Sequence, residues 1–292
     1  MPIIEIIKPE FVARVLDVDL RRDVSNAEFD QICDAFNHHA VLVFPDQDLN
    51  EHQQVSFSER FGPLEPSVRR HRKRNTENIY MSDISNIDPD TGGFMADDSE
   101  AMSYNLGNQL WHSDSSFKNV PARASLLAGR EVPPEGGETE FADIRAAWDA
   151  LDAERQNWLS KQTAMHSLAY SRGKMGYDAT QEFTGVEKAE VPSVPQPMMF
   201  ENESTGRRAL YVGSHAFSIV GMDDEDAVKL IEELIAHATQ TQFVYAHKWH
   251  EKDLVMWDNR ASLHRGRPWD TQRYRRVLRR TTVAGPGFVT AA

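Results

Sequence analysis

Short apolar segments that end at proline, glycine or a polar turn recur along this chain and constrain its fold most strongly. Four of them have the length and the β-branched or aromatic content of buried strands: 40–44, 243–249, 254–257 and 278–283. No Gly-x-Gly-x-x-Gly pattern and no P-loop is present, which argues against a doubly wound nucleotide-binding sheet. The pattern favours a β-barrel or a jelly roll.

Helical periodicity is confined to a few segments. The capping-box pattern Ser25-x-x-Glu28 begins one helix, and a second is expected from about residue 50. Two more are predicted over 141–159 and 223–237. No internal repeat or low-complexity linker divides the chain. We therefore expect a single catalytic domain, residues 1–292, that is mostly β with flanking helices.

One long segment, residues 66–110, has the composition of a loop. It combines a basic run at 69–74 with a turn-rich stretch and an acidic cluster, and we interpret it as a lid. Arg70, Arg72 and Lys73 could assist binding from this lid, and a solvated loop is an equally open interpretation of the basic run. A second variable loop is predicted around 170–195.

Composition excludes several classes of protein. The chain has 292 residues, with 32 Lys and Arg against 45 Asp and Glu, a net charge of −13, so its surface should repel nucleic acid and anionic membranes. Neither a signal peptide nor a membrane span is predicted. The single cysteine, Cys33, rules out an intramolecular disulfide, a multi-cysteine zinc site and an iron–sulfur cluster. A reducing, cytoplasmic location is expected.

Eleven histidines make imidazole and carboxylate the expected ligands of any metal. His112 and Asp114 are two residues apart, so on a strand both side chains share one face. About two such His-x-acid pairs are expected by chance in this composition, and a surface pair is the alternative. His264, which follows a predicted strand and turn, could add the third ligand. Two histidines and one carboxylate form the facial triad of non-haem Fe(II) oxygenases.

These motifs resemble, nearly from end to end, the taurine/2,4-dichlorophenoxyacetate dioxygenase family of iron(II)/2-oxoglutarate oxygenases, and most of all its aryloxyalkanoate branch. The segments that carry the resemblance are Val41-Leu-Val-Phe-Pro-Asp-Gln47, Arg60-Phe-Gly-Pro-Leu64, Gly107-Asn-Gln-Leu-Trp-His-Ser-Asp-Ser-Ser-Phe117, Val132-Pro-Pro-Glu-Gly-Gly-Glu-Thr-Glu-Phe141, Val255-Met-Trp-Asp-Asn-Arg260, His264-Arg-Gly-Arg267 and Arg275-Arg-Val-Leu-Arg-Arg280.

The resemblance implies a double-stranded β-helix, the jelly-roll or cupin-like core, with Fe(II) held by His112, Asp114 and His264. It implies 2-oxoglutarate and O₂ as cosubstrates, yielding succinate and CO₂ while a small anionic substrate is hydroxylated. In the aryloxyalkanoate branch this cleaves an ether to a phenol and an oxo-acid. Asp114 favours hydroxylation, because halogenases of related chemistry have a small residue there. A dimer or higher homo-oligomer is also implied.

By the same resemblance, Thr139 and Arg276 bind the two carboxylates of 2-oxoglutarate. A guanidinium suits a carboxylate that must be held in one orientation. Arg275 is the alternative to Arg276, because, compared with the family's pattern, the chain has one extra residue between His264 and the arginine pair. Arg280, four residues after Arg276, would share its face on a strand and meet the acid group of the substrate.

Asn108 and His71 match regions that contribute substrate contacts in relatives. Two other functions stay open. The same chemistry could act on an alkylsulfonate such as taurine, because either acid group needs only a cation. The triad could instead belong to a non-oxygenase metal-binding barrel or a zinc hydrolase, although a hydrolase has no need of Thr139 and Arg276.

Overall fold

The computed structural model describes residues 1–286, with residue 180 described by its backbone alone. Its strands are β1 Ile3–Lys8, β2 Val12–Leu16, β3 Val41–Phe44, β4 Met81–Ser85, β5 Ala122–Glu131, β6 Thr139–Asp143, β7 Thr163–His166, β8 Val194–Pro197, β9 Met199–Glu201, β10 Arg208–Leu210, β11 Ala216–Ile219, β12 Val244–His247, β13 Leu254–Asp258, β14 Ser262–Gly266 and β15 Val277–Ala284. Its α-helices are α1 Asn26–His39, α2 Glu51–Glu59, α3 Glu100–Leu106, α4 Ile144–Asp149, α5 Ala153–Leu159, α6 Leu168–Gly173, α7 Ala179–Glu182, α8 Gly185–Glu190 and α9 Asp224–Ala238. Two short 3₁₀ turns, Gly107–Gln109 and Thr241–Phe243, complete the described elements.

The largest sheet has seven strands in the order β1-β2-β3-β13-β5-β15-β4. Its neighbours pair antiparallel except β2 and β3, which are parallel. Successive side chains of β13 point to opposite faces. Leu254 and Met256 pack with the side chains of α1 and α2, whereas Val255 and Trp257 pack with Phe141 of β6. The large sheet is therefore buried on both faces.

A three-stranded sheet, β12-β6-β14, lies against the inner face of the large sheet. A second, β11-β7-β8, and the pair β9 and β10 extend the smaller layer, which α4 and α9 cover from outside. One isolated antiparallel bridge joins His112 to His264 of β14. The two β layers, with Phe141 and Trp257 packed between them, form the jelly roll. The bridge between His112 and His264 lies at the mouth of this jelly roll.

Local sequence rules explain where several helices begin. The Ser25 side chain accepts from the Glu28 backbone and Glu28 accepts from the Ser25 backbone, so the predicted capping box forms at α1. Asn50 and Gln53 form the same reciprocal pair at α2. The predicted strands correspond to β3, β12, β13 and β15, and the helix predicted over 223–237 is α9.

The prediction of one helix over 141–159 is wrong. Residues 141–143 end β6, which is paired to both β12 and β14. Asp143 then caps α4, and Asp152 caps a separate α5. Pairing on both sides of β6 outweighs helical periodicity at the start of this segment, and the second Asx cap divides the rest.

The proposed lid, residues 66–110, contains more regular structure than its composition indicates. β4 lies within it and pairs with β15 at the edge of the large sheet, and α3 precedes the 3₁₀ turn that leads to His112. The variable loop at 170–195 contains α7 and α8. That residues 170–195 form a variable loop, that residues 66–110 act as a lid and that the chain is a single domain stay predictions. None of the helices in the described chain has the length and apolarity that a membrane crossing requires.

Candidate active site

His112, Asp114 and His264 converge at the mouth of the jelly roll. The backbones of the two histidines exchange hydrogen bonds of 3.0 and 2.8 Å, which places their rings 4.1 Å apart. Asp114 Oδ1 lies 3.8 Å from His112 Nε2, and Asp114 Oδ2 lies 3.6 Å from His264 Nε2. One ligand atom from each residue lies within 4.8 Å of the others, so the three could hold one metal ion.

The protonation states of this cluster suit a divalent cation. Burial lowers the pKa of His112 to about 4 and that of His264 well below its usual value, so both imidazoles are neutral at pH 7. Burial opposes the charge on Asp114, but Arg280 and the two histidines hold its pKa far below its ordinary range. Neutral imidazole and ionised carboxylate are the forms that bind metal.

A buried polar network fixes the Asp114 carboxylate from behind. Ser125 Oγ donates to Asp114 Oδ2 at 2.7 Å, and Asn259 Nδ2 donates to Ser125 Oγ at 2.9 Å. Asn259 Oδ1 accepts from the backbone N–H of Asp114 and from the indole N–H of Trp257. These partners orient the carboxylate, as outer contacts do for metal ligands generally.

A recess beside the cluster is lined by Thr139, Trp269 and Arg276, together with His264. Arg276 is 3% exposed, its Nε donates to the Gly137 carbonyl at 3.1 Å, and its guanidinium lies 4.9 Å from the Trp269 ring centre. Burial lowers the pKa of Arg276 to about 10, which leaves it cationic at pH 7. It forms no ion pair within residues 1–286, so the recess contains an uncompensated cation.

Thr139 lines the same recess, and its hydroxyl can accept one hydrogen bond while donating another. Its Oγ1 accepts from Trp249 Nε1 at 3.0 Å. The hydroxyl proton is therefore free to donate to a ligand. Arg275 points elsewhere: it is exposed and pairs with Glu131 at 2.6 Å. Of the two arginines that the sequence left open, only Arg276 lines the recess.

A larger cavity adjoins this recess and is lined by His112 and Asp114 and by Asn108, Arg172 and Arg280, of which His112, Asn108 and Arg280 also line the recess. Arg280 donates to Asp114 Oδ1. Asn108 Oδ1 accepts from Arg172 Nη2 at 3.1 Å. The structure thus brings two of the predicted substrate residues, Asn108 and Arg280, to the cavity.

His71, the third predicted substrate residue, lies apart from these groups. Its side chain is half exposed, 4.0 Å from Glu190, and lines neither recess nor cavity. The basic run around it pairs with acids: Arg69 with Glu100, Arg70 with Glu190 and Arg72 with Glu187. Arg69 therefore forms an ion pair within residues 66–110, whereas Arg70 and Arg72 join this segment to α8. A substrate contact by His71 stays a prediction.

The sequence motifs did not single out Ser125, Asn259 or Arg172. Ser125 lies in an otherwise apolar stretch of β5, a polar residue at a fully buried strand position, and that contrast is the available signal. Asn259 lies within the segment 255–260 that carries the family resemblance, but no local pattern marks it as a partner of Asp114. Arg172 has no local motif, because its neighbours in the cavity come from a segment more than sixty residues earlier.

A jelly roll with two histidines and one carboxylate at its mouth defines the class of mononuclear metal-dependent oxygenases. Comparison with known proteins places the chain within that class. The model of the "Taurine catabolism dioxygenase TauD, TfdA family" matches residues 4–282, and the chain belongs to this family.

Its relatives cover almost the whole chain. It is 40% identical over 277 residues to the alpha-ketoglutarate-dependent 2,4-dichlorophenoxyacetate dioxygenase of Cupriavidus pinatubonensis, covering 94% of this chain and 95% of that protein. It is 36% identical to an (S)-phenoxypropionate/alpha-ketoglutarate-dioxygenase of Sphingobium herbicidovorans, covering 92% and 91%. The crystal structure of AAD-2 in complex with Mn(II) and N-oxalylglycine is 40% identical, covers both chains fully and has a TM-score of 0.89. The predicted family, jelly-roll fold and dioxygenase class are confirmed.

Proposed function

We propose that this chain is an Fe(II)- and 2-oxoglutarate-dependent dioxygenase that hydroxylates an aryloxyalkanoate and so cleaves its ether to a phenol and an oxo-acid. Its cofactor is Fe(II), and its cosubstrates are 2-oxoglutarate and O₂. The observation that carries the proposal is the position of the triad beside two adjoining spaces, a recess with the unpaired cation Arg276 and a cavity with Arg172, with Arg280 lining both. Two small anions can therefore bind beside one metal, each against a different buried arginine.

The protein's own contribution is to hold the iron and the two anions, to orient them and to exclude water from them. His112, Asp114 and His264 would bind the iron, and Ser125 would keep the Asp114 carboxylate in one orientation. Fe(II), when bound, supplies the redox chemistry that couples decarboxylation of 2-oxoglutarate to oxidation of a C–H bond.

Arg276 would pair with the distal carboxylate of 2-oxoglutarate. The hydroxyl of Thr139 accepts from Trp249 Nε1 and would donate its own proton to a carboxylate oxygen of the cosubstrate. Burial of Arg276 keeps water from competing for this ion pair, which strengthens it. A carboxylate bound in this recess lies beside His264, one of the three metal-binding candidates.

Product analysis tests the proposal. The Fe(II)-loaded protein is supplied with 2-oxoglutarate, O₂ and a panel containing phenoxyacetate, 2,4-dichlorophenoxyacetate and taurine, and succinate and phenol are quantified. Stoichiometric succinate and phenol from an aryloxyalkanoate are expected. Succinate from taurine alone would move the substrate class to alkylsulfonates, and no O₂ uptake with 2-oxoglutarate would favour a non-oxygenase metal barrel or a zinc hydrolase.

Asp114→Ala tests the metal cluster within the same assay. We expect it to abolish succinate formation and to reduce Fe(II) binding measured by anaerobic calorimetry. Asp34→Ala, which removes an exposed carboxylate from α1, is the matched control and should change neither. Full turnover by Asp114→Ala would refute the assignment of the triad. A homo-oligomer and a cytoplasmic location stay predictions, the first of which light scattering would test.

A further inference from the structure

Arg172, near the end of α6, is a buried cation at the outer cavity. Its side chain is 6% exposed and lines the same cavity as His112 and Asp114. Its Nη2 donates to Asn108 Oδ1 at 3.1 Å, and its guanidinium carbon lies 4.4 Å from the centre of the Tyr104 ring. Its Nε has no hydrogen-bond partner within residues 1–286. The groups that hold this guanidinium are thus uncharged.

The segment before His112 is shaped to receive this side chain. A Cβ built on Gly107 would lie 1.7 Å from Arg172 Nη1 and 2.6 Å from its guanidinium carbon. Only a residue without a side chain leaves this space. Tyr104, Gly107 and Asn108 therefore form a receptor in which a ring face, a backbone surface and an amide oxygen fix one orientation of the guanidinium.

Arg172 is a charge without a counter-ion. Charged side chains are rarely buried unless they are paired. No carboxylate of the described chain forms an ion pair with Arg172, and although Asp114 attracts it across the cavity, that carboxylate is already bound by Arg280. Burial lowers the pKa of Arg172, which records the cost of its desolvation.

Two other arginines of the cavity differ in this respect. Arg69 lies at the same distance, 4.4 Å, from the same Tyr104 ring, but Glu100 neutralises it at 2.6 Å. Arg280 is paired with Asp114. Arg74 also lines the cavity, but its guanidinium donates to the backbone carbonyls of Asn78 and Met81. Of the two arginines held against Tyr104, Arg172 is the one without a carboxylate partner in the described residues.

We propose that Arg172 binds the carboxylate of the organic substrate and selects anionic over neutral substrates. The inference rests on the proposed function and adds a second cation to Arg280. Because a guanidinium matches the planar carboxylate geometrically, a group fixed by Tyr104, Gly107 and Asn108 would set the substrate's orientation as well as its charge. Such a site rejects a neutral analogue because the buried cation would stay unpaired.

The test compares a carboxylate with its neutral isostere. Protein loaded with Mn(II) and N-oxalylglycine is titrated by calorimetry with phenoxyacetate and with phenoxyacetamide. Arg172→Gln should weaken phenoxyacetate binding about 10- to 100-fold, the range expected for a lost hydrogen bond to a charged group, and leave phenoxyacetamide within twofold. Arg172→Lys should restore part of the loss. Arg69→Gln removes the paired arginine from the same ring and should leave the acid-to-amide ratio unchanged.

Gly107→Ala provides an independent variant if Arg172→Gln fails to fold. It keeps the positive charge but displaces the guanidinium, and the same selective loss for the acid is expected. An equal change for acid and amide, or unchanged phenoxyacetate affinity in Arg172→Gln, would overturn the proposal.

Failure of the proposed substrate class gives a different result. Wild-type protein would then form no succinate with any aryloxyalkanoate. In that case wild-type and Arg172→Gln protein are titrated with taurine and with its sulfonamide. Weaker binding of the sulfonate alone in the variant supports the assignment, and equal losses for both ligands refute it.

Discussion

Ser125 donates its hydroxyl proton to Oδ2 of Asp114, at 2.7 Å, because an ionised carboxylate can only accept, and Ser125 Oγ in turn accepts from Asn259 Nδ2 at 2.9 Å. Both Ser125 and Asn259 are completely buried. The direction of this hydrogen bond is thus determined by the network and not by solvent. It leaves the carboxylate ionised and turned toward the two histidines.

Removal of this hydroxyl should therefore lower the affinity for the metal, with a smaller effect on the free energy of unfolding. We expect Ser125→Ala to lower Fe(II) affinity about 10- to 100-fold, the usual effect of losing a partner of a metal ligand. Anaerobic calorimetry measures the affinity. Ser58→Ala is the control, because Ser58 is equally buried and its hydroxyl is bonded to Gln54 and Thr281 and not to a residue of the triad. Similar losses of Fe(II) affinity in both variants would contradict this role.

Substitution of Arg276 should raise the KM for 2-oxoglutarate, whereas substitution of the adjacent Arg275 should not. Arg276 is buried in the recess, whereas Arg275 is exposed and paired with Glu131. Arg276→Gln should raise the KM for 2-oxoglutarate at least tenfold, since a charged hydrogen-bond partner contributes about 1.5–3 kcal/mol. Arg275→Gln should change it less than twofold. Initial rates of succinate formation decide, and the reverse ranking would transfer the role to Arg275.

Thr139 should act through its proton. Thr139→Val has nearly the same shape but cannot donate, so we expect a KM for 2-oxoglutarate raised about five- to tenfold, as for one lost hydrogen bond. It also leaves the buried Trp249 N–H without its acceptor, which should lower the free energy of unfolding by about 1–3 kcal/mol. Thr139→Ser retains the hydroxyl and should recover both quantities. A KM unchanged in Thr139→Val would exclude Thr139 as a cosubstrate contact.

The elements that the sequence predicts well are those with strong local signals. The Ser25 capping box and the apolar, β-branched segment that becomes β3 each determine their own secondary structure from neighbouring residues alone. The segment at 141–159 shows the limit, because β6 is a strand only through its pairing with β12 and β14. Such pairing is tertiary and leaves no local periodicity.

The site divides in the same way. His112 and Asp114 lie close in sequence, and the family motif adds His264, so the metal cluster is predictable. Arg172 is not, since its charge becomes significant only when folding brings it against Tyr104 and leaves it without a carboxylate. Burial and the absence of a counter-ion are properties of the folded chain.

The contact between Arg72, in the segment 66–110, and α8 should depend on pH through Glu187. Arg72 donates to both Glu187 oxygens, at 2.9 and 2.8 Å, and Glu187 also caps α8 with Thr184. Burial raises the pKa of Glu187, but the hydrogen bonds from Arg72 and Thr184 outweigh it and lower the pKa from 4.5 to about 2. A depressed folded-state pKa contributes stability above pH 4.5 that is lost as the pH falls toward 2. Glu187→Gln should therefore reduce the free energy of unfolding at pH 7 by about 1–3 kcal/mol, and the difference from wild type should shrink between pH 4.5 and 3 in urea titrations. Glu203→Gln, an exposed control, should show no difference at either pH, and a wild-type to Glu187→Gln difference that stays constant with pH would show that Glu187 acts without its charge.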